Sequence, residues 1–397
     1  MTDNPRQSKR PFIALLILLF IGVILLPGLY FAGRFLPPAL AWACPSIETV
    51  NMLGRYLTFA IVAVGLDLVW GYAGILSLCQ AFFFCLGGYA MGMYLAHHGG
   101  PEGIVDANGW KMPACLYVVY PGGVGEIEAQ WTVPWFWKPF WSLPVTMLLA
   151  LLIPGLVALV IGFFGFRSRV RGVYFAILTQ AITVAAFNFF SMNNMRFCGT
   201  NGLTRFDRIA GSFQLSEPNV KLALYIITVL ALAAVYWGCH GLIKSRLGRV
   251  LVAIRDDENT LRFSGYKPYV YKLFAFVLAG MIAGLAGMLY VPQMGIITPF
   301  DMEAGKSIMI VIWVAVGGRG TLAGAVLGAL VVNLLYNYFT SQHDLGLLTW
   351  KADYWPFVLG GLFIGVVLWI KGGLMGLPSQ LMRLIKGSGT GTASKEN

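Results

Sequence analysis

Five amide and hydroxyl side chains stand inside stretches of sequence that are otherwise apolar, and each of them can form hydrogen bonds. A polar side chain in an apolar surrounding is costly unless it has a hydrogen-bond partner or borders a water-filled space. Two interpretations follow: each side chain joins neighbouring helices, or the set lines a path for a small polar molecule. These candidate path residues are Ser77, Gln80, Thr179, Gln180 and Gln293.

Asp67 is the one acidic side chain inside an apolar stretch. It lies just before Gly71, so we expect it to pair with a neighbouring helix or to cap the turn there. Proton coupling is the alternative, because an ionisable group within a membrane often marks a proton path.

The residues that enzymes use for catalysis or metal binding are not grouped in this sequence. The four histidines are scattered, there is no Cys-x-x-Cys pair, and no nucleophile and base lie together in the apolar stretches, so we assign no catalytic and no metal site. The chain also lacks Gly-x-x-x-x-Gly-Lys-Ser/Thr, the loop that cradles nucleotide phosphates. If ATP drives this protein, another chain binds it.

The elements that position the polar residues must be membrane helices. The 397 residues are 58% hydrophobic and only 11% charged, which excludes a soluble enzyme or a nucleic-acid-binding protein in spite of the net charge of +11. The sequence predicts an all-α polytopic membrane protein with about ten transmembrane helices, in a range of nine to eleven. The predicted segments are 12–31, 51–70, 75–95, 142–165, 172–190, 221–243, 273–292, 307–318, 321–340 and 355–370.

The basic residues indicate the orientation. Most of the 28 Lys and Arg residues fall on one side if the N- and C-termini are cytoplasmic, as the positive-inside rule requires. This divides the chain into a tail 1–11, a membrane domain 12–371 and a tail 372–397, with an outer insertion 96–141 and a cytoplasmic loop 244–272. A signal peptide is the alternative for the first segment, because Ala41-Trp42-Ala43 precedes Cys44. With cytoplasmic termini, Cys44, Cys115 and Cys198 face outward, free or with one disulfide among them.

Two predicted segments are interrupted by glycine. Segment 307–318 is too short to cross a bilayer and reads as a half-helix. The stretch 71–74 leaves only a tight turn, so segment 75–95 is a candidate for a re-entrant or unwound helix near a pathway. The structural glycine breaks are Gly71, Gly74, Gly317, Gly318 and Gly320.

The loop 244–272 predicts a short amphipathic helix that ends near Gly265. Asp256 to Glu258 form a compact acidic patch in the sequence. The loop is a solvated connector or a helix on which a partner docks. Its apolar side is predicted to hold Val250, Leu251, Ile254, Leu261 and Phe263.

Several motifs resemble one family of transport proteins. Arg249-Val-Leu-Val-Ala-Ile-Arg-Asp-Asp-Glu resembles the cytoplasmic coupling region of permeases in the branched-chain amino acid group of ABC importers. Gly71-Tyr72-Ala73-Gly74-Ile75-Leu76-Ser77-Leu78 is similar to a segment of the same group. More narrowly, Leu289-Tyr-Val-Pro-Gln-Met-Gly-Ile296 and Ile312-Trp-Val-Ala-Val-Gly-Gly-Arg-Gly-Thr321 resemble the second permease subunit of urea ABC importers. The likeness covers about residues 50 to 340.

The resemblance implies a permease subunit in the bacterial inner membrane that pairs with a homologous second permease, two ABC ATPases and an extracytoplasmic urea-binding protein. It implies no nucleic-acid partner and no cofactor, since ATP would bind to the ATPases. The residues it assigns to ATPase coupling are Gly248, Arg249, Arg255, Asp256, Asp257, Glu258 and Gly265.

Urea is the substrate that the polar residues favour. It is small and neutral, and amide and hydroxyl groups match its N–H donors and its oxygen, whereas an amino acid needs partners for two charges. Cys79 and Gln80 depart from the Gly-His of the wider group, which leaves the ligand open. Branched-chain amino acids and short amides remain alternatives, as does a stand-alone urea channel or secondary transporter.

Overall fold

The computed structural model describes residues 20–33, 45–99, 133–168, 172–204, 206–209 and 213–340, with separate positions at 109, 113, 116, 357, 360, 361, 364, 365 and 373–376. The N-terminal tail and most of the predicted segment 355–370, of the outer insertion and of the C-terminal tail lie outside these residues, as does the beginning of segment 12–31. The described part is a bundle of helices, with strands of only two residues each.

The described helices follow the apolar stretches of the sequence. A π-helical stretch, Phe20–Leu25, leads into the first of them. Their bounds are α1 Leu26–Gly33, α2 Ile47–Tyr72 with π-helical turns from Leu68, α3 Gln80–Gly99, α4 Leu143–Arg167, α5 Val173–Ser191, α6 Pro218–Lys244, α7 Arg246–Asp256, α8 Glu258–Phe263, α9 Pro268–Met294, α10 Ala304–Gly317 and α11 Leu322–Thr340.

Six of the described helices are long and apolar enough to cross a membrane, namely α2, α4, α5, α6, α9 and α11. The chain is therefore a multi-pass membrane protein. The predicted total of about ten crossings and the cytoplasmic termini stay predictions. α10 has 14 residues, which agrees with the expected half-helix.

Helix α9 lies at the centre and packs against both α3 and α4. Its small residues make these contacts close. A methyl group added at Gly287 would collide with the backbone of Phe84 on α3, and one added at Gly284 would lie 2.5 Å from the Ala150 carbonyl on α4. Small residues allow such backbone approach in membrane bundles, where dispersion contacts replace the hydrophobic effect.

The other helices surround this centre. α2 packs against α6, α9 and α11, and most of it is buried. α10 and α11 form a hairpin in which Gly317, Gly324 and Gly328 bring the two backbones together. One end of the bundle carries Gly71, the glycine turn after α10 and the helices α7 and α8; we call it the basic end.

The opposite end of the bundle, the far end, is closed by aromatic and strand contacts. Trp137 is fully buried and donates from Nε1 to the Arg196 carbonyl at 3.1 Å. The antiparallel pair β1 Leu203–Thr204 and β4 Ile296–Ile297 ties the loop after α5 to the chain that leaves α9. A second pair joins β2 Arg208–Ile209 to β3 Phe213–Gln214.

The described cysteines include both free and disulfide-bonded residues. Cys79, Cys85 and Cys239 are free and buried. Cys198, at the far end, is disulfide-bonded, so the expectation of free outer cysteines is wrong for this residue. Cys44 and Cys115 lie outside the described residues.

We expect Gly287→Val to lower the thermal unfolding temperature in detergent, because its side chain would force α3 away from α9, and overpacking typically costs about 1–3 kcal/mol. Gly238→Ala on α6 is the matched control. Its methyl group would meet open space, so the alanine should stabilise by about 0.5–1 kcal/mol. Equal unfolding temperatures for Gly287→Val and the wild type would contradict this close α3–α9 contact.

Candidate functional site

The chain is unwound between α2 and α3, at residues 73–79. The sequence predicted a turn at 71–74 and a helix from 75, so the break is longer and the helix begins five residues later, at Gln80. Gly74 has a φ of +75°, a conformation that glycine adopts without strain, and it turns the chain away from α2. The Ile75 N–H then donates back to the Val69 carbonyl at 3.1 Å.

Side chains of α5 and α10 hold the unwound segment in place. The Leu78 N–H donates to Thr179 Oγ1 at 3.0 Å, and Thr183 Oγ1 donates to the Leu78 carbonyl at 3.1 Å. The Ala81 N–H donates to Ser307 Oγ at 3.3 Å. A non-helical backbone within a membrane bundle requires such partners, since water and lipid offer none.

Thr183 and Ser307 were missed by the sequence analysis. Thr183 lies four residues after Thr179, on the same face of α5, so helical spacing was the signal that predicts it. Ser307 opens the predicted half-helix, where its hydroxyl was the available signal.

Gln80 is fully buried in the first turn of α3, and its amide has no hydrogen-bond partner in the part of the chain that the structure describes. Neither Oε1 nor Nε2 accepts or donates a hydrogen bond among the described residues. Burying an amide without partners costs roughly 1–3 kcal/mol in proteins, so the site offers a strong hydrogen-bonding position to a polar molecule.

The neighbouring candidates are Ser77, Thr179 and Gln180. Ser77 is fully buried and its Oγ lies 3.2 Å from Cys79 Sγ. Gln180 follows Thr179 on α5, and its Oε1 also has no partner in the described part of the chain. Ser77 and Thr179 therefore supply hydroxyl groups at the break in the helical backbone, and Gln180 adds an amide on the same helix as Thr179.

Gln293 does not belong to this group. It lies near the far end of α9, where Nε2 donates to Thr228 Oγ1 at 2.8 Å and to the Leu289 carbonyl at 2.9 Å. Asn51 Nδ2 donates to the Gln293 carbonyl at 3.1 Å. Gln293 therefore joins α2, α6 and α9, which is the helix-joining interpretation of a membrane amide.

The glycine breaks at 71 and 317–320 meet at the basic end. The Gly320 N–H donates to Asp67 Oδ1 at 2.7 Å, so the carboxylate pairs with the turn after α10, as the pairing interpretation expected. Asp67 Oδ2 has no partner among the described residues. Gly318 and Gly320 have φ angles of +119° and +79°, which permit this turn.

Two arginines complete the basic end. Arg319 donates from Nε and Nη2 to the Trp70 carbonyl, at 3.1 and 2.9 Å, and its guanidinium carbon lies 4.9 Å from the centre of the Trp70 ring. Arg255 Nη1 donates to the Gly71 carbonyl at 2.9 Å. Burial lowers the pKa of Arg319, as does the nearby Arg255 charge, whereas Asp67 opposes this shift. An arginine keeps its charge under such a shift, because its ordinary pKa is so high.

The loop after α6 holds two helices, α7 and α8, where one was predicted. Leu251 and Ile254 are buried against the bundle, which confirms an apolar side, but Phe263 is 92% exposed. α7 begins close to α6, since a side chain at Gly248 would collide with the backbone of Ile243. Arg249 is exposed, and Gly265, with a φ of +83°, follows the end of α8 as predicted.

The predicted acidic patch is divided by local contacts. Asp256 pairs with Arg255 at 3.2 Å, and the Asp257 carboxylate caps α8 by accepting the N–H groups of Asn259 and Thr260. The Thr260 hydroxyl and these N–H groups lower the pKa of Asp257. Glu258 is mostly buried and pairs at 2.6 Å with both Arg262 and Lys272. Only part of the patch is therefore available to a partner.

A cavity of about 220 Å³ lies beneath the unwound segment at the basic end. Ala73, Gly74 and Ile75 line one side of it, and Arg255 and Arg319 line another. The charged end of α7 and the unwound chain that leads to Gln80 therefore line the same cavity. Within the described residues, no group of three His, Cys, Asp or Glu side chains is arranged to hold a metal ion.

Comparison with known proteins identifies relatives across most of the chain. The family described as branched-chain amino acid transport system / permease component matches residues 49–367. The high-affinity branched-chain amino acid transport system permease protein LivM of Escherichia coli is 24% identical over an alignment of 378 positions that covers 89% of this chain and 76% of the relative.

Two further relatives carry other names. The autoinducer 2 import system permease protein LsrC of Salmonella paratyphi B is 31% identical over 57% of this chain and 63% of its own length. The ribose import permease protein RbsC of Escherichia coli is 28% identical over 34% of this chain and 43% of its own length. No solved structure matches the chain.

We expect Thr179→Val to lower thermal stability, because the isosteric side chain leaves the Leu78 N–H without an acceptor, at a cost of about 1–3 kcal/mol. Thr179→Ser keeps the hydroxyl and should unfold close to the wild type. Thr146→Val is a second control, since that buried hydroxyl donates only within its own helix, to the Ser142 carbonyl. If both valine variants unfold at the same temperature, Thr179 does not hold the break.

Proposed function

The chain belongs to the family of branched-chain amino acid transport system permease components, and from this premise we propose that it is the permease subunit of an ABC importer whose substrate is urea. It would lie in the bacterial inner membrane and would be driven by ATPases on separate chains. The choice of urea rests on the amide of Gln80, which is buried beside an unwound backbone and has no hydrogen-bond partner among the described residues.

The groups around Gln80 support a neutral substrate. The side chains that hydrogen-bond to the described residues 77–81 belong to Ser77, Cys79, Thr179, Thr183 and Ser307, and each of them is uncharged. Urea needs an acceptor for its N–H groups and a donor for its oxygen, and one glutamine amide supplies both. The charged side chains Asp67, Arg255 and Arg319 lie instead at the basic end.

Broken helices favour a site at this position. In transporters, substrate sites lie where membrane helices are interrupted, because the freed backbone groups and the side chains beside them can bind polar groups. Here the break at 73–79 and the half-helix α10 meet through Ala81 and Ser307. The far end, with the described residues 133–141 packed on α3, would receive an extracytoplasmic urea-binding protein.

The basic end would receive the ATPases. Phe263 and Tyr266 are exposed by 92% and 46% beside α8, and Arg249 is exposed on α7. An exposed aromatic side chain with basic neighbours is typical of a protein interface. The assembly would contain two ATPase subunits and a homologous second permease.

Branched-chain amino acids are the second candidate substrate. They are favoured by the likeness to LivM, which extends over 89% of this chain. A reconstituted assembly of this chain, its partner permease and the ATPases in proteoliposomes separates the two: labelled urea, acetamide and leucine are offered with and without ATP and the binding protein. Urea uptake that needs every component supports the proposal. Leucine uptake without urea uptake would keep the importer and reject the substrate, and ATP-independent equilibration would indicate a channel or facilitator.

We expect Gln80→Leu to reduce urea uptake at low concentration by about tenfold to a hundredfold, the equivalent of about 1.4–2.8 kcal/mol of lost hydrogen bonding. The same change should preserve or raise the unfolding temperature, because it removes a buried amide that has no partner. Uptake kinetics and thermal unfolding measure the two effects.

Asn188→Leu is the matched control for this experiment. Asn188 carries the same type of side chain on an exposed position of α5, with Nδ2 donating to the Val184 carbonyl of its own helix. It should leave urea uptake unchanged. Wild-type urea kinetics in Gln80→Leu would show that this amide does not touch the substrate.

A further inference from the structure

Three consecutive carbonyl groups near the end of α2, those of Val69, Trp70 and Gly71, accept hydrogen bonds from outside the helix. The final carbonyls of a helix have no partner inside it and need one elsewhere. The Val69 carbonyl accepts the N–H of Ile75, from the unwound segment itself. The Trp70 carbonyl accepts Arg319, and the Gly71 carbonyl accepts Arg255 at 2.9 Å.

The two arginines come from separate parts of the chain. Arg255 stands in the last turn of α7, in the loop between α6 and α9, whereas Arg319 stands in the turn between α10 and α11. Positive groups at the C-terminal end of a helix also interact favourably with its dipole. We call this pair, bound to the Trp70 and Gly71 carbonyls, the arginine clasp.

The clasp packs closely against two glycines, Gly71 and Gly74. A Cβ atom at Gly71 would lie 2.7 Å from the Gly320 nitrogen, and one at Gly74 would lie 2.8 Å from Arg255 Cγ. The aliphatic stem of Arg255 therefore touches the first turn of the unwound segment while its guanidinium holds the end of α2. A displacement of α7 would move both contacts together.

The connection from α7 to the candidate binding residues is short. Gly71 precedes the break by two residues, and the break leads to Ser77 and Gln80. The cavity of about 220 Å³ beside Arg255 leaves room for Ala73 to Ile75 to move. On the other side, Arg319 and the Gly320 contact with Asp67 attach the same helix end to the α10–α11 hairpin.

We propose that Arg255 is the positioning residue that transmits movement of α7 to the unwound segment 73–79, by releasing or pulling the Gly71 carbonyl when the ATPases move. Arg319 is the fixed point of the clasp. Arg255 touches no substrate and acts through Gly71. This inference rests on the proposed ATP-driven function, but it does not depend on which molecule is carried.

The test uses the full assembly in proteoliposomes, with Ala73→Cys in this chain as a reporter on the cavity wall. We expect ATP to change the rate at which a water-soluble maleimide labels this cysteine by about tenfold when Arg255 is present. In Arg255→Gln the change should fall below about twofold. ATPase binding and basal ATP hydrolysis are measured in parallel for each variant. Labelling of the chain without Ala73→Cys is subtracted.

Two further variants separate transmission from simple stabilisation. Arg255→Lys keeps a donor for the Gly71 carbonyl and should restore part of the ATP-dependent change. Arg246→Gln removes an exposed arginine from the first turn of the same helix and should label as the wild type does. Uptake per ATP hydrolysed should follow the labelling in each variant.

Each contrary result has its own meaning. An undiminished ATP-dependent change in Arg255→Gln overturns the transmission role. Loss of ATPase binding in that variant also overturns it, because Arg255 would then be a docking residue. No ATP-dependent change with Arg255 intact overturns the transmission role if uptake still needs ATP, and rejects the importer itself if uptake does not need ATP. An ATP-dependent change without urea uptake would reject only the substrate.

Discussion

The structure depends on one constraint: a backbone that leaves its helix inside a membrane bundle must find a partner for each exposed polar group. Between α2 and α3 these partners are side chains from distant parts of the sequence. Thr179 and Thr183 hold Leu78, Ser307 holds the start of α3, and arginines from two turns hold the end of α2. The break therefore brings together α5, α10 and the loop that contains α7. A continuous helix would satisfy its own backbone and would not require these contacts.

Close packing of glycines makes that arrangement possible. The glycines Gly87 and Gly287 press α3 against α9, and Gln80 lies in the first turn of α3 with no hydrogen-bond partner for its amide among the described residues. The α10–α11 hairpin is closed in the same way and delivers Gly320 to Asp67. The glycines thus fix where the polar groups lie, and the polar groups fix where the chain can bend.

Residue type and helical spacing predicted much of this. Amides and hydroxyls in apolar stretches, glycine interruptions at 71 and 317, and an amphipathic loop after α6 are visible in the sequence. The start of α3 was not, because Ile75 and Leu76 continue an apolar run that looks helical and only Thr179, about a hundred residues away, shows that Leu78 is unwound. Gln293 and Gln80 are alike in sequence. They differ in that Gln293 donates a hydrogen bond to Thr228, whereas the Gln80 amide has no hydrogen-bond partner among the described residues. The sequence also did not show how much of the acidic patch is free to bind a partner. Lys272, which pairs with Glu258, lies 14 residues beyond it.

The separation of charge from the candidate site bears on how the protein could be driven. Hydrogen bonds to charged groups contribute about 1.5–3 kcal/mol each, and the 37% exposure of the Arg255 side chain places its bond toward the lower value. Reversing a two-state equilibrium from 1:99 to 99:1 takes about 5.5 kcal/mol. Arg255 alone falls short of that, so a complete switch also needs the ATPases to bind one state more tightly than the other. The binding site itself can therefore be neutral. In the proposed mechanism, charged groups at the end of α2 receive the movement of the ATPases, and the backbone of residues 73–79 transmits it to Gln80.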